Sequence, residues 1–198
     1  MNKIDDAMAE LTKAHIKYKL DGSFQRLNQV VSKWPSSLRR SAQLDDFFNC
    51  YEPIGVKIET GFTPLKFVSL NALEKAQIGY KWINGDGGKK INQDWNENYV
   101  VFMDDLGGGK PIVALTDIEN TPIFASYGPV APFQIADSLA EFLSALAKLI
   151  EVVYGEFNIF DISDDDGVNP SFVARLDVEI APILGERNYQ NFFDYFYG

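Results

Sequence analysis

The sequence contains a single cysteine, Cys50, and a single histidine, His15, among 198 residues. One cysteine excludes an intramolecular disulfide, and Cys50 beside Phe47 and Phe48 is typical of a small buried hydrophobic side chain. One cysteine and one histidine do not supply the ligands of an ordinary zinc site without help from carboxylates. His15 falls on the apolar stripe of an N-terminal helix, which favours a packed or surface residue over a general base.

Long apolar runs are also missing. No run approaches the roughly 20 residues that a membrane-spanning helix needs, and the first residues, MNKIDDAMAELTK, lack the apolar core of a secretory signal. The sequence therefore predicts a cytoplasmic protein without a membrane segment. Aromatic residues are abundant, with 15 Phe and 9 Tyr, which predicts one domain over 1–198 with a sizeable core.

Basic residues are scarce in the second half of the chain. Residues 101–198 contain 4 Lys and Arg against 16 Asp and Glu, whereas residues 1–100 contain 14 against 12. An acidic surface repels a phosphate backbone, which argues against nucleic acid as a partner. Such a surface would attract a basic protein, although acidity that serves only solubility explains the composition equally well.

Helix and strand patterns divide the chain into three parts. Apolar spacing predicts helices over residues 3–20, 23–31 and about 36–48, then short strands near 56–60 and 65–70 and a short helix over 72–80. Residues 84–98 are predicted as a long exposed loop. Strands over 99–103, 111–115 and 122–126 predict an antiparallel meander, and helices follow over 138–153, from 169 onward and over 188–197. The predicted fold class is α+β, with a mainly antiparallel sheet in the middle of the chain packed by helices from both ends.

Two motifs suggest chemistry but lack the residues that the chemistry requires. Gly107-Gly108-Gly109-Lys110 is followed by Pro111 and a strand, so it lacks the Ser or Thr and the helix of a phosphate-binding loop. It predicts a tight hairpin connection instead. The acidic run at 164–166 lacks the spacing of a calcium loop and predicts a solvated turn. With no nucleophile motif present, the sequence predicts a protein that is not an enzyme and that uses no cofactor or metal.

One segment resembles a known family. The residues are YVVFMDDLGGGKPIVAL from Tyr99 to Leu115, then TPIFASYGPV, and then IADSLAEFL up to Leu143, with WPSSL upstream at 34–38. Together they resemble the SUKH superfamily, which includes fungal cell-wall and glucan-synthesis regulators, over residues 34–153. The chain departs from the family pattern at Asn49-Cys50-Tyr51, in the apparent insertion at 84–98 and in the C-terminal extension 154–198.

The resemblance implies a small α+β fold and a role in binding other proteins. Bacterial members of the family are largely immunity proteins that bind and neutralise a cognate toxin, and many such toxins are basic nucleases. The sequence therefore predicts an immunity protein whose partner is a basic toxin domain, with a regulatory scaffold in cell-wall synthesis or stress signalling as the alternative. The predicted partner contacts combine aromatic anchors with acids that steer a basic partner: Trp95, Asp104, Asp105, Tyr127, Asp164, Asp165 and Asp166. For Trp95, a packed position at the lip of the sheet is the competing interpretation.

Overall fold

A computed structural model of the chain describes residues 3–27, 34–85, 88–128, 130–165 and 167–198. The helices are α1 (Lys3–Lys17), α2 (Ala42–Cys50), α3 (Leu73–Ala76), α4 (Leu139–Glu151), α5 (Pro170–Leu184) and α6 (Glu186–Tyr197). The strands are β1 (Ser23–Arg26), β2 (Tyr51–Ile54), β3 (Lys57–Ile58), β4 (Leu65–Phe67), β5 (Trp82–Gly85), β6 (Gly88–Ile91), β7 (Tyr99–Asp105), β8 (Ile112–Leu115), β9 (Ile123–Ala125), β10 (Phe133–Ala136), β11 (Ser163–Asp164) and β12 (Gly167–Val168). The predicted α+β class is confirmed.

The central sheet has six strands in the order β10-β9-β8-β7-β4-β3, and all its neighbours are antiparallel. The predicted meander of three strands forms β7, β8 and β9. Both faces of this meander are covered, because alternate residues of a strand point to opposite sides. Val100 and Phe102 face the main core, whereas Val101 and Val113 face a smaller cluster that contains Tyr80 and Trp95.

Helix α4 packs against the main face of the sheet. Ser138 is its N-cap, and the Ser138 hydroxyl accepts a hydrogen bond from the backbone N–H of Glu141 at 3.1 Å, as the Ser-x-x-Glu pattern predicts. The Phe142 ring lies 6.0 Å from the ring of Phe102 on β7. Helix α1 packs along α4, and the Lys17 ammonium reaches the Glu151 carboxylate at 2.7 Å.

The C-terminal helices are an integral part of the core. The Tyr195 hydroxyl donates to the carbonyl oxygen of Lys110 at 2.5 Å, and the Tyr197 hydroxyl donates to that of Thr60 at 3.0 Å. The Phe192 ring of α6 lies 6.5 Å from the Phe142 ring of α4. Helices α5 and α6 therefore complete the same apolar cluster that holds α1, α4 and the sheet.

Three local predictions are wrong. The helix predicted over 23–31 begins as strand β1, because pairing with β2 determines the backbone of Ser23–Arg26. Residues 28–31 of that prediction lie outside the described residues. The next helix begins at Ala42, after the N-cap Ser41, and not near residue 36. The predicted loop 84–98 contains most of the hairpin β5–β6, whose second strand is wholly exposed and so shows no apolar alternation.

His15 offers a pH probe of the core. Its ring is buried, lies 5.4 Å from the Phe24 ring, and donates from Nε2 to the carbonyl oxygen of Asp21 at 3.1 Å. Burial lowers the pKa of His15 below its ordinary value of 6.5, so the unfolded chain takes up this proton at a higher pH than the folded protein. The His15 contribution to stability is therefore present above pH 6.5 and is lost as the pH falls towards the pKa of the folded state.

We expect the NMR titration of this one histidine to give a pKa below 6.5. His15→Gln should remove the corresponding slope from the free energy of unfolding between neutral pH and pH 5, measured by urea denaturation. A histidine pKa at or above the ordinary value would contradict the buried position.

Candidate functional site

The end of β7 leads into a turn that one carboxylate organises. Oδ1 of Asp104 accepts hydrogen bonds from the backbone N–H groups of Asp105, Gly109 and Lys110, at 2.9, 3.2 and 3.1 Å. Its Oδ2 accepts from the Tyr80 hydroxyl at 3.1 Å. A carboxylate with this many donors supports the loop structurally. We call residues 104–110 the glycine turn.

The two groups that meet at Oδ2 have shifted pKa values. Burial raises the pKa of Asp104, and the hydrogen bonds from Gly109 and Tyr80 oppose that rise. Burial, followed by the nearby Asp104 carboxylate, raises the pKa of Tyr80. The Tyr80 hydroxyl therefore stays protonated and donates a hydrogen bond to the Asp104 carboxylate. The hydrogen-bonding capacity of this carboxylate is thus used largely within the protein.

The predicted contact Tyr127 lies beside the glycine turn. Its hydroxyl donates to the carbonyl oxygen of Asp194 at 2.7 Å, and its ring is 43% exposed. The Lys110 ammonium lies 5.5 Å from the centre of that ring and donates to Oγ1 of Thr63 at 3.0 Å. The structure thus brings Asp104, Asp105 and Tyr127 together, but places a lysine among them.

The middle glycine of the turn needs a left-handed backbone, with φ of 74° at Gly108. A β-branched residue adopts that conformation only with strain, so Gly108→Val should lower the free energy of unfolding by about 1–3 kcal/mol. Urea denaturation of the two proteins measures this difference. Gly107→Val is the control within the same turn, because Gly107 lies outside the left-handed region. Equal losses of stability in the two variants would show that side-chain bulk, and not the backbone angle φ, causes the destabilisation.

Trp95 is not an exposed anchor. Its side chain is 6% exposed, and its ring packs 5.5 Å from the Tyr80 ring and 5.6 Å from the Tyr99 ring. These contacts bury the indole on the outer face of the sheet, which agrees with the competing interpretation of a packed residue. The burial of Trp95 was not apparent from the sequence, because polar residues surround it at 92–98 and a lone tryptophan shows no periodic pattern.

Asp164 and Asp165 lie elsewhere, on the small hairpin β11–β12, which we call the acidic hairpin. Ser163 pairs with Val168 and Asp164 pairs with Gly167 in this hairpin. Asp165 is exposed at its tip, as expected for a solvated turn, whereas Asp166 lies outside the described residues. Val168 of this hairpin also lines a groove between α5 and α6.

This groove, which we call the acidic groove, has a volume of about 600 Å³. Helix α5 lines it with Val173, Ala174 and Asp177, and helix α6 lines it with Glu186, Tyr189 and Phe193. Neither Lys nor Arg occurs among its lining residues in the described part of the chain. An apolar floor with acids at the rim is suited to a basic partner.

Tyr189 is a buried residue in the lining of this groove. Its side chain is buried, and its hydroxyl has no hydrogen-bond partner among the described residues. Burial, then the charges of Asp177 and Glu186, raise the pKa of Tyr189 to about 12. The hydroxyl therefore stays neutral and is enclosed by the protein. The sequence did not predict this groove. Its two helices meet at Gly185, and the sequence pattern shows each of them only as a separate amphipathic segment.

A second groove lies next to the glycine turn and differs in charge. Its volume is about 650 Å³, and its lining includes Phe67 and Ile78, of which Ile78 is 51% exposed. Lys66 and Lys75 line it together with Asp104. This mixture of charges does not select for a basic partner as the acidic groove does.

Two searches of the described residues complete the survey. No group of three or more His, Cys, Asp or Glu side chains is arranged to hold a metal ion among the residues that the structure describes. Within the same residues, no helix is both long and apolar enough to cross a membrane.

Comparison of the chain with protein-family profiles, with curated proteins and with solved structures finds no match.

Proposed function

We propose that this chain is an immunity-type protein that binds a basic toxin domain and blocks its activity. The observation that carries the proposal is the acidic groove, where an apolar floor is bordered by Asp177 and Glu186 without a lysine or arginine in its described lining. The acidic hairpin contributes Val168 to the groove lining and carries the exposed Asp165. The same half of the chain, residues 101–198, holds 16 acids against 4 basic residues.

The apolar floor and the acidic rim of the groove would have different roles in binding. An apolar side chain of the toxin would sit against Phe193 and Val173, because burial of apolar surface supplies most of the affinity at the centre of an interface. Lysines or arginines around that anchor would meet Asp177 and Glu186, which raises the association rate and selects a basic partner. A toxin that acts on nucleic acid needs such basic residues to hold phosphates, so their occupation by the immunity protein would block its substrate.

The resemblance to the SUKH superfamily supports the same function from the sequence side. The segment that carries the resemblance, residues 99–143, forms β7 to β10 and the start of α4. The acidic groove lies outside it, in the C-terminal extension. In this proposal the shared segment provides the scaffold, and the extension provides the surface that is specific for the toxin.

A rescue experiment tests the function. The product of the neighbouring gene is expressed in a host cell with and without this protein, and growth is measured together with capture of the complex on an affinity resin. We expect growth arrest by the neighbour alone, rescue by this protein, and a stoichiometric complex. Arrest without rescue and without a complex would reject the immunity role.

The acidic hairpin should steer the toxin towards the groove. Replacement of Asp164, Asp165 and Asp166 together with Asn removes three charges, and we expect a slower association that depends less on salt, because ions screen charges beyond about 10 Å at 0.1 M. The dissociation rate should change less, and stability should change by no more than about 0.5 kcal/mol. Stopped-flow association across a salt series measures the effect. An unchanged rate at low salt would show that these acids only solvate the turn.

A further inference from the structure

This otherwise acidic protein also contains a cavity whose lining is rich in cations. It has a volume of about 900 Å³ and lies between residues 36–40 and residues 91–97. Three cations, Arg39, Arg40 and Lys81, line it together with Trp95, Asn92 and Glu97. The glycine turn and the acidic groove do not contribute to its described lining.

Lys81 is the most unusual of these cations. Its side chain is buried, with 8% of the residue exposed, and its ammonium donates to the carbonyl oxygen of Glu97 at 2.9 Å. No carboxylate of the described residues lies within ion-pair distance of it. Burial lowers the pKa of Lys81, because a buried ammonium is poorly solvated, and the nearby Glu97 carboxylate opposes only part of this shift. An anion in the cavity would supply the missing charge.

Trp95 gives a second, independent indication. Its indole Nε1–H is buried and has no hydrogen-bond acceptor among the described residues. A buried donor without an acceptor costs stability, and an indole can only donate. Trp95 lines the same cavity, so its unsatisfied N–H lies in the region where the ligand would bind.

The arginines add charge at the mouth of the cavity. Arg39 meets the Glu97 carboxylate at 3.5 Å, with both side chains more than 60% exposed, so this pair is weak and easily exchanged for another anion. Arg40 donates from Nε to Asp45 at 2.8 Å, which fixes its guanidinium beside the Trp34 ring, 5.6 Å away. Planar guanidinium groups hold phosphate and carboxylate oxygens in defined geometry.

We propose that this cavity binds a small molecule that carries a phosphate or carboxylate group, with Lys81 as its central counter-ion and Arg39 as a further donor. Asn92 and the other polar lining residues would contact the uncharged part of the ligand. This inference does not depend on the proposed function, since the cavity is formed by other residues than the acidic groove.

Calorimetric titration with inorganic phosphate, pyrophosphate and citrate tests the proposal, with glucose as the uncharged control. We expect at least one of the three anions to bind. Comparison of the affinities for phosphate and pyrophosphate with the affinity for citrate distinguishes a phosphate ligand from a carboxylate ligand. Lys81→Met keeps the aliphatic stem and should raise the Kd about tenfold or more. Arg39→Gln, at an exposed position, should raise it about threefold without a loss of folding.

Lys13→Met is the matched control, because Lys13 is exposed on α1 and does not line the cavity. It should leave the Kd unchanged. On binding, the Trp95 indole N–H resonance should shift, whereas that of a distant backbone amide should not. Absence of binding by all three anions, or equal weakening by Lys81→Met and Lys13→Met, would overturn the proposal.

Discussion

Replacement of Phe142 with Ala should lower the free energy of unfolding by about 3–5 kcal/mol, the usual cost of a large cavity in a core. Phe142 is fully buried, and its ring lies 6.0 Å from Phe102 of the sheet and 6.5 Å from Phe192 of α6. The substitution therefore removes contacts between the central sheet, α4 and the C-terminal extension at once. Urea denaturation, followed by tryptophan fluorescence and by circular dichroism, measures the loss.

The same experiment tests whether the extension folds with the rest of the chain. We expect the two signals to change in one shared transition in both proteins, because a single apolar cluster contains residues from Ile4 to Tyr197. Phe160→Ala is the matched control, since Phe160 is 85% exposed, and its effect should stay within about 0.5 kcal/mol. A separate early transition that only the C-terminal helices undergo would contradict this picture.

Ala174→Arg should weaken binding of the basic toxin about 100-fold, which is the effect of losing a central contact of an interface. Ala174 is an exposed position of α5 on the wall of the acidic groove. Arginine there fills the apolar floor and brings a positive charge to the place where the partner's own cations would lie. Arginine also favours helix, so the fold should be kept. The Kd of the purified complex and the growth-rescue assay measure the effect.

Ala9→Arg is the matched control for that variant. Ala9 is an exposed helical alanine of α1, outside the lining of the groove, so the same substitution should leave both the Kd and the rescue unchanged. If Ala174→Arg also rescues growth with an unchanged Kd, the toxin binds elsewhere. The groove beside the glycine turn, with exposed Ile78, would then be the next surface to change.

Local patterns were enough to predict the elements that depend on neighbours in the chain. Helix α4 has a capping box and a continuous apolar stripe, and both signals act within a few residues. The strands of the meander are apolar segments separated by turn residues, Gly107 to Gly109 in one connection and Glu119-Asn120 in the next, so their existence and order were predicted correctly. The wrong helix at Ser23–Arg26 shows the limit, because only pairing with the distant strand β2 fixes those residues as a strand.

The predicted partner contacts show the same limit of local sequence patterns. Residue type alone selected Trp95 and Asp104, since tryptophans and acids are frequent in interfaces with basic partners. Whether such a side chain is available depends on what packs on it: Tyr80 and Tyr99 cover Trp95, and the glycine turn uses the carboxylate of Asp104. Tyr80 contacts both of these side chains although it lies 24 residues before Asp104 in the chain, and no spacing rule relates them.

By itself the sequence determined the α+β class, the order of the main elements and the acidic character of the second half, because propensity, periodicity and net charge are properties of the local chain. Tertiary structure alone decided which charges share a surface. It placed Asp177 and Glu186 from two helices on one groove, and it brought Lys81 to the cavity that Arg39 and Trp95 line. The reason is physical: a binding surface consists of side chains that lie within a few ångströms of one another, and only long-range packing determines those distances.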